Sequence, residues 1–389
     1  MKEIYACFLG NVDASKSTTI GVLINRGKVL DDGNGLLRKM VCKHPHELQS
    51  GRTSDISQRY VVYDDCIVNF IDLCGHEKYL KTTVNGLSSI KYDLAVLCVS
   101  DKITRMTKEH LGLCMLLEIP ILILFTKIDL VPSGVTTKLI QEMKSLLIKN
   151  CKRRMIEVKD KTDGYLYNND AFLPYIRTSN TSGEGIDRVI EYIKNLPKKK
   201  YLENKRGFVV EHIYNVMGHG TILSGISGEE IRKGDVMYLG PISNIGNFIE
   251  IVVKSIHNDY RENIDLLPKN IRGCICIRFD KKYYKYIRTG MVVSKTIPKN
   301  VCKRFVAEVK IFHHQTTIQN GYQAYGNVGG INESVRILEI KGSNSTLRSG
   351  DTAIVVMEFV KNFNYVEVGD RVIFREGTTK GIGKIVEIL

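Results

Sequence analysis

The feature that most constrains this chain is a short loop that follows the first apolar segment. Residues Ile4–Leu9 read as a buried strand, and Gly10–Ser17 then reads GNVDASKS. This octapeptide matches the phosphate-binding loop Gly-x-x-x-x-Gly-Lys-Ser/Thr at every defining position except Ser15. Such a loop lies between a strand and a helix, because its backbone N–H groups and the positive end of the helix together surround a phosphate group. The sequence therefore predicts an α/β nucleotide-binding domain at the start of the chain.

The side chains of this loop have distinct predicted roles. Lys16 would neutralise β- and γ-phosphate charge, and the Ser17 hydroxyl would complete a magnesium site. The glycine usual at position 15 permits a backbone angle and a close phosphate approach that Ser15 makes harder, so we expect binding weakened by about 1 kcal/mol. A decayed loop that binds no nucleotide is the alternative. The predicted nucleotide contacts here are Gly10, Asn11, Val12, Asp13, Ala14, Ser15, Lys16, Ser17 and Thr18.

A second motif, Asp72-Leu73-Cys74-Gly75-His76, follows the predicted strand Ile67–Ile71. A loop at the carboxyl end of a strand of such a sheet can reach the γ-phosphate. Asp72 would hold magnesium through water, and the Gly75 N–H would contact the γ-phosphate. His76 would lie beside the attacking water, which makes it the predicted catalytic residue.

A third motif, Gly51-Arg52-Thr53, stands between the other two. Its distance from the phosphate loop leaves room for a helix and a mobile switch segment, with Thr53 as a magnesium ligand in the triphosphate state. Arg52 would either supply a positive charge near the γ-phosphate or lie exposed in solvent. The predicted magnesium ligands are thus Ser17, Thr53 and Asp72.

The motif Thr126-Lys127-Ile128-Asp129 follows another apolar strand and predicts which base is bound. The Asp129 carboxylate can accept hydrogen bonds from N1–H and the 2-amino group of guanine, which adenine cannot supply. The Lys127 stem would cover the base. Asparagine is usual at position 126, so one contact of Thr126 would be shorter or lost. Ser179-Asn180-Thr181 would form the loop behind the base, and GTP or GDP is the predicted ligand.

Apolar periodicity before position 197 predicts short buried strands alternating with helices, which is typical of a mostly parallel, doubly wound sheet. The predicted strands are Ile4–Leu9, Tyr60–Tyr63, Ile67–Ile71, Leu94–Val99, Ile121–Phe125 and Phe172–Arg177. The predicted helices are Ser17–Ile24, Lys78–Leu87, Met106–Leu117, Thr136–Ile148 and Gly185–Leu196.

Helical periodicity disappears in the second half, where glycine turns separate short β-rich runs, as in antiparallel barrels. We expect a nucleotide-binding domain over 1–196, a charged linker over 197–206, and two β-barrel domains over 207–299 and 300–389.

The formal net charge of +14 favours contact with nucleic acid or an acidic membrane surface, although a lysine-rich genome bias would also produce it. The aromatic and basic stretch Arg278–Arg288 is the best candidate for RNA, and a solvated barrel loop is the alternative. The longest apolar run, Leu111–Phe125, is interrupted by Glu118 and Pro120 and is too short to cross a bilayer. A strand that starts at Ile4 leaves no room for a targeting peptide. We therefore expect a cytoplasmic monomer without membrane contact.

These motifs resemble those of translational GTPases of the elongation-factor-Tu superfamily, and more narrowly the eukaryotic branch known as GTP-binding proteins one and two. The resemblance is carried by Gly10–Ser17, Ser50–Ser54, Phe70–Thr83, Thr107–Leu113 and Thr126–Asp129, and in the second half by Gly218–Gly225, Lys254–His257 and Arg371–Gly377.

The resemblance implies a GTP-hydrolysing switch in which His76 positions the water and the barrels present surfaces to the ribosome, tRNA or another RNA. It implies the same phosphate, magnesium and guanine contacts as the motifs. A catalytically weak adaptor with a GTPase fold, acting in RNA turnover or quality control, is the alternative.

Overall fold

The computed structural model describes residues 2–42, 53, 55–89, 92–159, 171–197, 206–242, 246–311, 317–342, 346–376 and 378–389. The chain forms two compact units, Met1–Lys199 and Lys200–Leu389. The predicted roles of Gly51 and Arg52 fall outside the described residues, as does most of the charged linker.

The first unit is built on a seven-stranded sheet in the order β2-β3-β1-β4-β5-β7-β6. All neighbours are parallel except β2, which forms an antiparallel hairpin with β3. The chain leaves β3 on one side of β1 and returns as β4 on the other, so β1 ends where ligands bind in such sheets. The strands are β1 Lys2–Gly10, β2 Ser57–Val62, β3 Cys66–Asp72, β4 Leu94–Val99, β5 Ile121–Phe125, β6 Arg154–Glu157 and β7 Phe172–Arg177.

Helices cover both faces of this sheet. Ile4, Ala6 and Phe8 share one core with helices Lys16–Ile24 and Ile186–Lys194. Cys7 points to the opposite face, where burial, and to a smaller extent the neighbouring Cys114 of helix Arg105–Leu116, raises the pKa of its thiol. The described helices are Lys16–Ile24, Leu36–Lys39, Leu80–Ser89, Arg105–Leu116, Ser133–Cys151 and Ile186–Lys194, with a 3₁₀ turn at Glu77–Tyr79.

The predicted doubly wound sheet is confirmed, and β4, β5 and β7 have the predicted bounds. Strand β6 was not predicted. It offers only two apolar residues between charged ones, and it forms because Arg154–Glu157 pairs with β7 at the edge of the sheet.

The second unit contains two closed six-stranded antiparallel barrels. In the first, β11-β16-β8-β9-β15-β12 closes because β11 also pairs with β12. In the second, β18-β23-β21-β20-β25-β26 closes through β26 and β18. The strands are β8 Phe208–Val216, β9 Gly220–Ile226, β10 Ile231–Arg232, β11 Val236–Ile242, β12 Asn247–Asn258, β13 Asn263–Ile264, β14 Leu266–Leu267, β15 Arg272–Arg278, β16 Val292–Ser294, β17 Val301–Cys302, β18 Arg304–Ile311, β19 Ile318–Gln319, β20 Gln323–Val328, β21 Ile331–Lys341, β22 Thr346–Leu347, β23 Thr352–Phe359, β24 Asn364–Tyr365, β25 Arg371–Glu376 and β26 Thr378–Ile388.

Arginine side chains tie the two barrels together. Arg206, which precedes the first barrel, ion-pairs with Asp370 of the second and donates to the Gly329 carbonyl oxygen at 2.6 Å. Arg288 of the first barrel donates to the Phe363 carbonyl oxygen of the second at 2.7 Å. Both guanidinium groups are largely buried, so these contacts satisfy donors that water does not reach.

Candidate nucleotide-binding site

The phosphate loop begins where β1 ends, at a position that only glycine can occupy. Gly10 has φ +138°, and an added Cβ would lie 2.3 Å from the Cys98 carbonyl oxygen. Its N–H donates to Nδ1 of buried His110 at 3.2 Å. Burial lowers the pKa of His110 to about 3, so the ring is neutral and remains an acceptor. His110 lies in Thr107–Leu113, which the sequence analysis included in the family resemblance without predicting a role for the histidine.

Ser15 occupies the left-handed region, with φ 61° and ψ 20°, immediately before helix Lys16–Ile24. Its carbonyl oxygen accepts the first helical hydrogen bond, from Thr19 N at 2.8 Å. Its hydroxyl makes no capping hydrogen bond to the helix. A serine therefore holds a glycine-type conformation here without the compensation that serine usually supplies at a helix start.

Lys16 folds back over the loop, where its ammonium donates to the carbonyl oxygens of Asn11 at 2.7 Å and Gly10 at 3.2 Å. Its side chain is buried, and this desolvation lowers the pKa of Lys16, while Asp72 opposes the change. A buried ammonium ringed by backbone atoms needs an anion to offset its desolvation, and a phosphate group supplies one.

The three predicted magnesium ligands come together although they lie far apart in sequence. Ser17 Oγ donates to Asp72 Oδ2 at 2.5 Å, and Thr53 Oγ1 donates to the same oxygen at 3.2 Å. Asp72 Oδ1 is buried and forms no hydrogen bond within the described structure. Burial raises the pKa of Asp72, although Lys16 and the two hydroxyls lower it in part. Two hydroxyls and an unsatisfied carboxylate oxygen form an oxygen donor set that fits Mg²⁺.

Gly75 and His76 lie against this cluster. A Cβ on Gly75 would lie 2.5 Å from Lys16 Nζ and 2.6 Å from the Gly10 carbonyl oxygen, so glycine is required for the close approach. His76 lines the cavity, and its Nδ1 accepts from Lys78 N at 3.1 Å. A neutral ring in that arrangement carries its proton on Nε2, which makes Nε2–H a donor toward a water molecule.

The base-reading residues lie at the end of β5. Thr126 is buried, and its hydroxyl is within 3.3 Å of the Ala14 carbonyl oxygen and 3.4 Å of the Val99 carbonyl oxygen. The Thr126 hydroxyl has one proton to donate, and its hydrogen bond to the Ala14 carbonyl oxygen would connect the base-reading segment to the phosphate loop. Lys127 has φ 59° and lines the cavity.

The remaining predicted base contacts surround Asp129. Thr181 Oγ1 donates to Asp129 Oδ2 at 2.6 Å and lies 3.0 Å from Ser179 Oγ. Burial by itself raises the pKa of Asp129, but hydrogen bonds from Thr181 and Ser179 bring it below its usual value. Asn180 Nδ2 donates to Thr19 Oγ1 at 3.0 Å, which anchors this loop to the helix after the phosphate loop. The carboxylate is therefore ionised and exposed, as an acceptor for guanine must be.

One cavity of about 330 Å³, a volume within the range of small-ligand sites, is lined by most of the predicted phosphate residues and by the magnesium residues Ser17 and Thr53, but not by Asp72. The sequence missed part of its wall, which the segment before the third motif contributes. No sequence signal marked the first four of these residues, because they come from a stretch without a recognisable pattern, and the fifth lies just beyond the base-reading motif. They are Asp31, Gly33, Gly35 and Arg38, together with Leu130 after β5.

Comparisons with known proteins agree with this geometry. The profile of the elongation factor Tu GTP binding domain matches residues 2–199. GTP-binding protein 1 of Xenopus laevis is 36% identical over 100% of this chain, and GTP-binding protein 2 of Homo sapiens is 32% identical over 99%. The chain spans 64% and 69% of the lengths of these two relatives.

Solved structures share the fold. Elongation factor SelB of Methanococcus maripaludis, in complex with the GTP analogue GppNHp, has a TM-score of 0.73 at 20% identity and covers 100% of this chain and 80% of its own. The Saccharomyces cerevisiae Ski7 GTPase-like domain bound to GTP has a TM-score of 0.73 at 13% identity, with coverage of 99% and 97%.

Proposed function

The chain belongs to the family that carries the elongation factor Tu GTP-binding domain, and from this premise we propose that it is a GTP-binding and GTP-hydrolysing switch acting on the ribosome, tRNA or another RNA. In this proposal residues 1–196 form the switch, and the barrels over 207–299 and 300–389 carry the partner surface. The observation that carries it is that Lys16, Ser17 and Thr53 line one cavity, while the Ser17 and Thr53 hydroxyls both donate to Asp72.

Ser17, Thr53 and Asp72 would hold Mg²⁺, which when bound supplies positive charge to the β- and γ-phosphates. The Lys16 ammonium adds charge on the same side, and backbone N–H groups of the loop orient the phosphates. Thr53 is the last residue of the third motif, so loss of the γ-phosphate would release the segment that carries it. The His76 Nε2–H donates to the attacking water and orients it. In this role the histidine positions the water but does not remove its proton.

Guanine selection rests on Asp129. Its exposed carboxylate accepts two hydrogen bonds from guanine, whereas adenine would leave it unpaired. Thr181 and Ser179 hold the carboxylate in the ionised form that this contact requires.

The test of nucleotide binding is a titration of the full chain with fluorescent GTP, GDP and ATP, with and without Mg²⁺. Lys16→Ala is the binding-deficient variant, and Lys28→Ala, at an exposed lysine outside the cavity wall, is the matched control. We expect saturable guanine-nucleotide binding by wild type and control, strengthened by Mg²⁺, and none by Lys16→Ala at the same concentrations. Wild-type protein that ignores guanine nucleotides would refute the proposal.

A catalytically weak adaptor is the second candidate, because Ser15 strains the phosphate loop. Single-turnover hydrolysis separates the two candidates. A switch hydrolyses bound GTP and accelerates with a stimulating partner by a factor on the order of 10³ or more, whereas the adaptor binds GTP without turnover.

For the RNA partner, the surface with the best-suited chemistry is the segment Arg278–Arg288. It forms a 3₁₀ helix, Lys281–Tyr286, on which Tyr284 and Tyr286 are exposed while Tyr283 packs against the barrel core. Exposed rings flanked by lysines offer stacking surfaces and phosphate contacts to a single strand. Tyr284 also borders a cavity of about 660 Å³.

The RNA contact is tested by titrating labelled single-stranded RNA at several salt concentrations. We expect Tyr286→Ala to weaken binding by about 1 kcal/mol or more, with Tyr60→Ala, an exposed tyrosine of the first unit, as the control. Equal binding by both variants would exclude this surface.

Among the helices that the structure describes, none is long and apolar enough to cross a membrane. We propose a cytoplasmic location and a monomeric state, which size-exclusion chromatography with light scattering and imaging of tagged protein would test.

A further inference from the structure

The cavity wall contains a cation that none of the motifs includes. Arg38 lies on the short helix Leu36–Lys39 and lines the same cavity as Lys16, Thr53 and Gly75. Its Nε is buried and has no hydrogen-bond partner within the described part of the chain. A buried donor without an acceptor costs about 1–3 kcal/mol, so this one calls for an acceptor that the protein itself does not provide.

The helix that carries Arg38 is held in place from two sides. Leu37 is buried against the helix after the phosphate loop, at Gly21, where an added Cβ would lie 2.6 Å from the Leu37 carbonyl oxygen. On the other side, the Arg59 Nε of β2 donates to the Met40 carbonyl oxygen at 2.7 Å. The position of Arg38 therefore depends on the phosphate-loop helix and on the sheet.

The charge around Arg38 indicates the chemistry of its missing partner. Arg38 forms no ion pair with a carboxylate among the described residues, and it lines the same cavity as Ser17 and Thr53, whose hydroxyls donate to Asp72. Mg²⁺ on Asp72 would offset that carboxylate's charge. The guanidinium then faces a cavity whose remaining occupant is a phosphate chain, and its planar donors match phosphate oxygens.

We propose that Arg38 is a phosphate-contacting arginine supplied in cis, which stabilises the charge on the γ-phosphate of GTP in the ground state and more strongly during transfer to water. This inference rests on the proposed GTPase function. Arg52, which the sequence offered for such a role, lies outside the described residues, whereas Arg38 stands at the cavity on an anchored helix.

The test uses the full chain and three variants. Arg38→Ala removes the cation, Arg38→Lys keeps its charge without the planar donors, and Lys39→Ala removes an equal charge from the exposed neighbouring position on the same helix. The measurements are single-turnover hydrolysis of saturating GTP, the affinities for GDP and for a non-hydrolysable GTP analogue, and the melting temperature.

We expect Arg38→Ala to slow hydrolysis by about 10²-fold, as removal of one charge-stabilising donor does in other sites. Its affinity for the GTP analogue falls more than its affinity for GDP. The hydrolysis rate of Arg38→Lys lies between those of wild type and Arg38→Ala. Lys39→Ala stays within about twofold of wild type in every measurement.

Three results would overturn the inference. Hydrolysis by Arg38→Ala at the wild-type rate excludes the contact, and equal losses for GDP and the GTP analogue with a lowered melting temperature assign Arg38 a structural role. If wild type binds no GTP, the proposed function and this inference fail together. If wild type binds and Lys16→Ala does not, a normal Arg38→Ala variant refutes this inference alone.

Discussion

Ser15→Gly measures the strain in the phosphate loop. An L-residue in the left-handed region costs about 1–2 kcal/mol, and Ser15 holds φ 61° without a capping hydrogen bond to offset it. Glycine removes that cost but adds about 0.4–1 kcal/mol of unfolded-chain entropy to be lost on folding. The difference is a net gain of about 1 kcal/mol, which corresponds to roughly 2–4 °C in the melting temperature of a unit of this size.

The assay is thermal and urea unfolding of the full chain in excess GDP and Mg²⁺. With nucleotide in excess, the free energy of unfolding includes the free energy of nucleotide binding. The difference between Ser15→Gly and wild type therefore reports strain at position 15 in both folding and binding. Thr104→Gly is the matched control, because Thr104 starts helix Arg105–Leu116 with φ −89° and accepts a capping hydrogen bond from Thr107 N at 3.2 Å.

We expect Thr104→Gly to lose a few tenths of a kcal/mol or more, the opposite sign to Ser15→Gly. If Ser15→Gly leaves the unfolding free energy unchanged or lowers it, the reasoning about backbone strain is wrong. In that case the serine side chain contributes an interaction that compensates for its conformation.

His76→Ala should slow single-turnover hydrolysis by about 10²-fold or more while GDP affinity stays within about twofold, and an unchanged hydrolysis rate would remove His76 from the mechanism. Asp129→Asn should lower GDP affinity by about 10²-fold and favour xanthosine diphosphate, whose C2 oxygen accepts from the new amide; competition binding measures both, and an unaltered preference for guanine would contradict the assignment. Burial raises the pKa of Glu211 to about 7, from an ordinary value of 4.5, although Arg272 ion-pairs with it. Because the folded-state pKa lies above the unfolded one, this group's stabilising contribution is complete below pH 4.5 and is lost as the pH rises through about 7. Urea unfolding across this range should show that decline for wild type and a flatter dependence for Glu211→Gln; parallel curves would exclude Glu211 as its source.

The sequence predicted the elements whose identity depends on local chemistry. Strands β4 and β5 are short continuous apolar runs with polar residues or proline at their ends, and their length favours a buried strand over a helix. The phosphate loop and Asp129 were also predictable, because each motif performs its chemistry with a few adjacent residues.

Features created by distant pairing were not predictable from the sequence. Strand β1 extends back to Lys2 because it pairs with Cys66 of β3, and β6 exists only through its pairing with β7. Arg38 reaches the cavity because Gly21 admits the Leu37 backbone, a contact that no pattern in either segment announces.

The position of Arg206 has a mechanical consequence. Arg206 lies where the chain enters the first barrel, and its ion-pair partner, Asp370, belongs to the second barrel. A force applied to the chain before residue 206 therefore acts on both barrels. A pull on residue 206 is transmitted to the second barrel as well as to the first, through the Arg206–Asp370 ion pair.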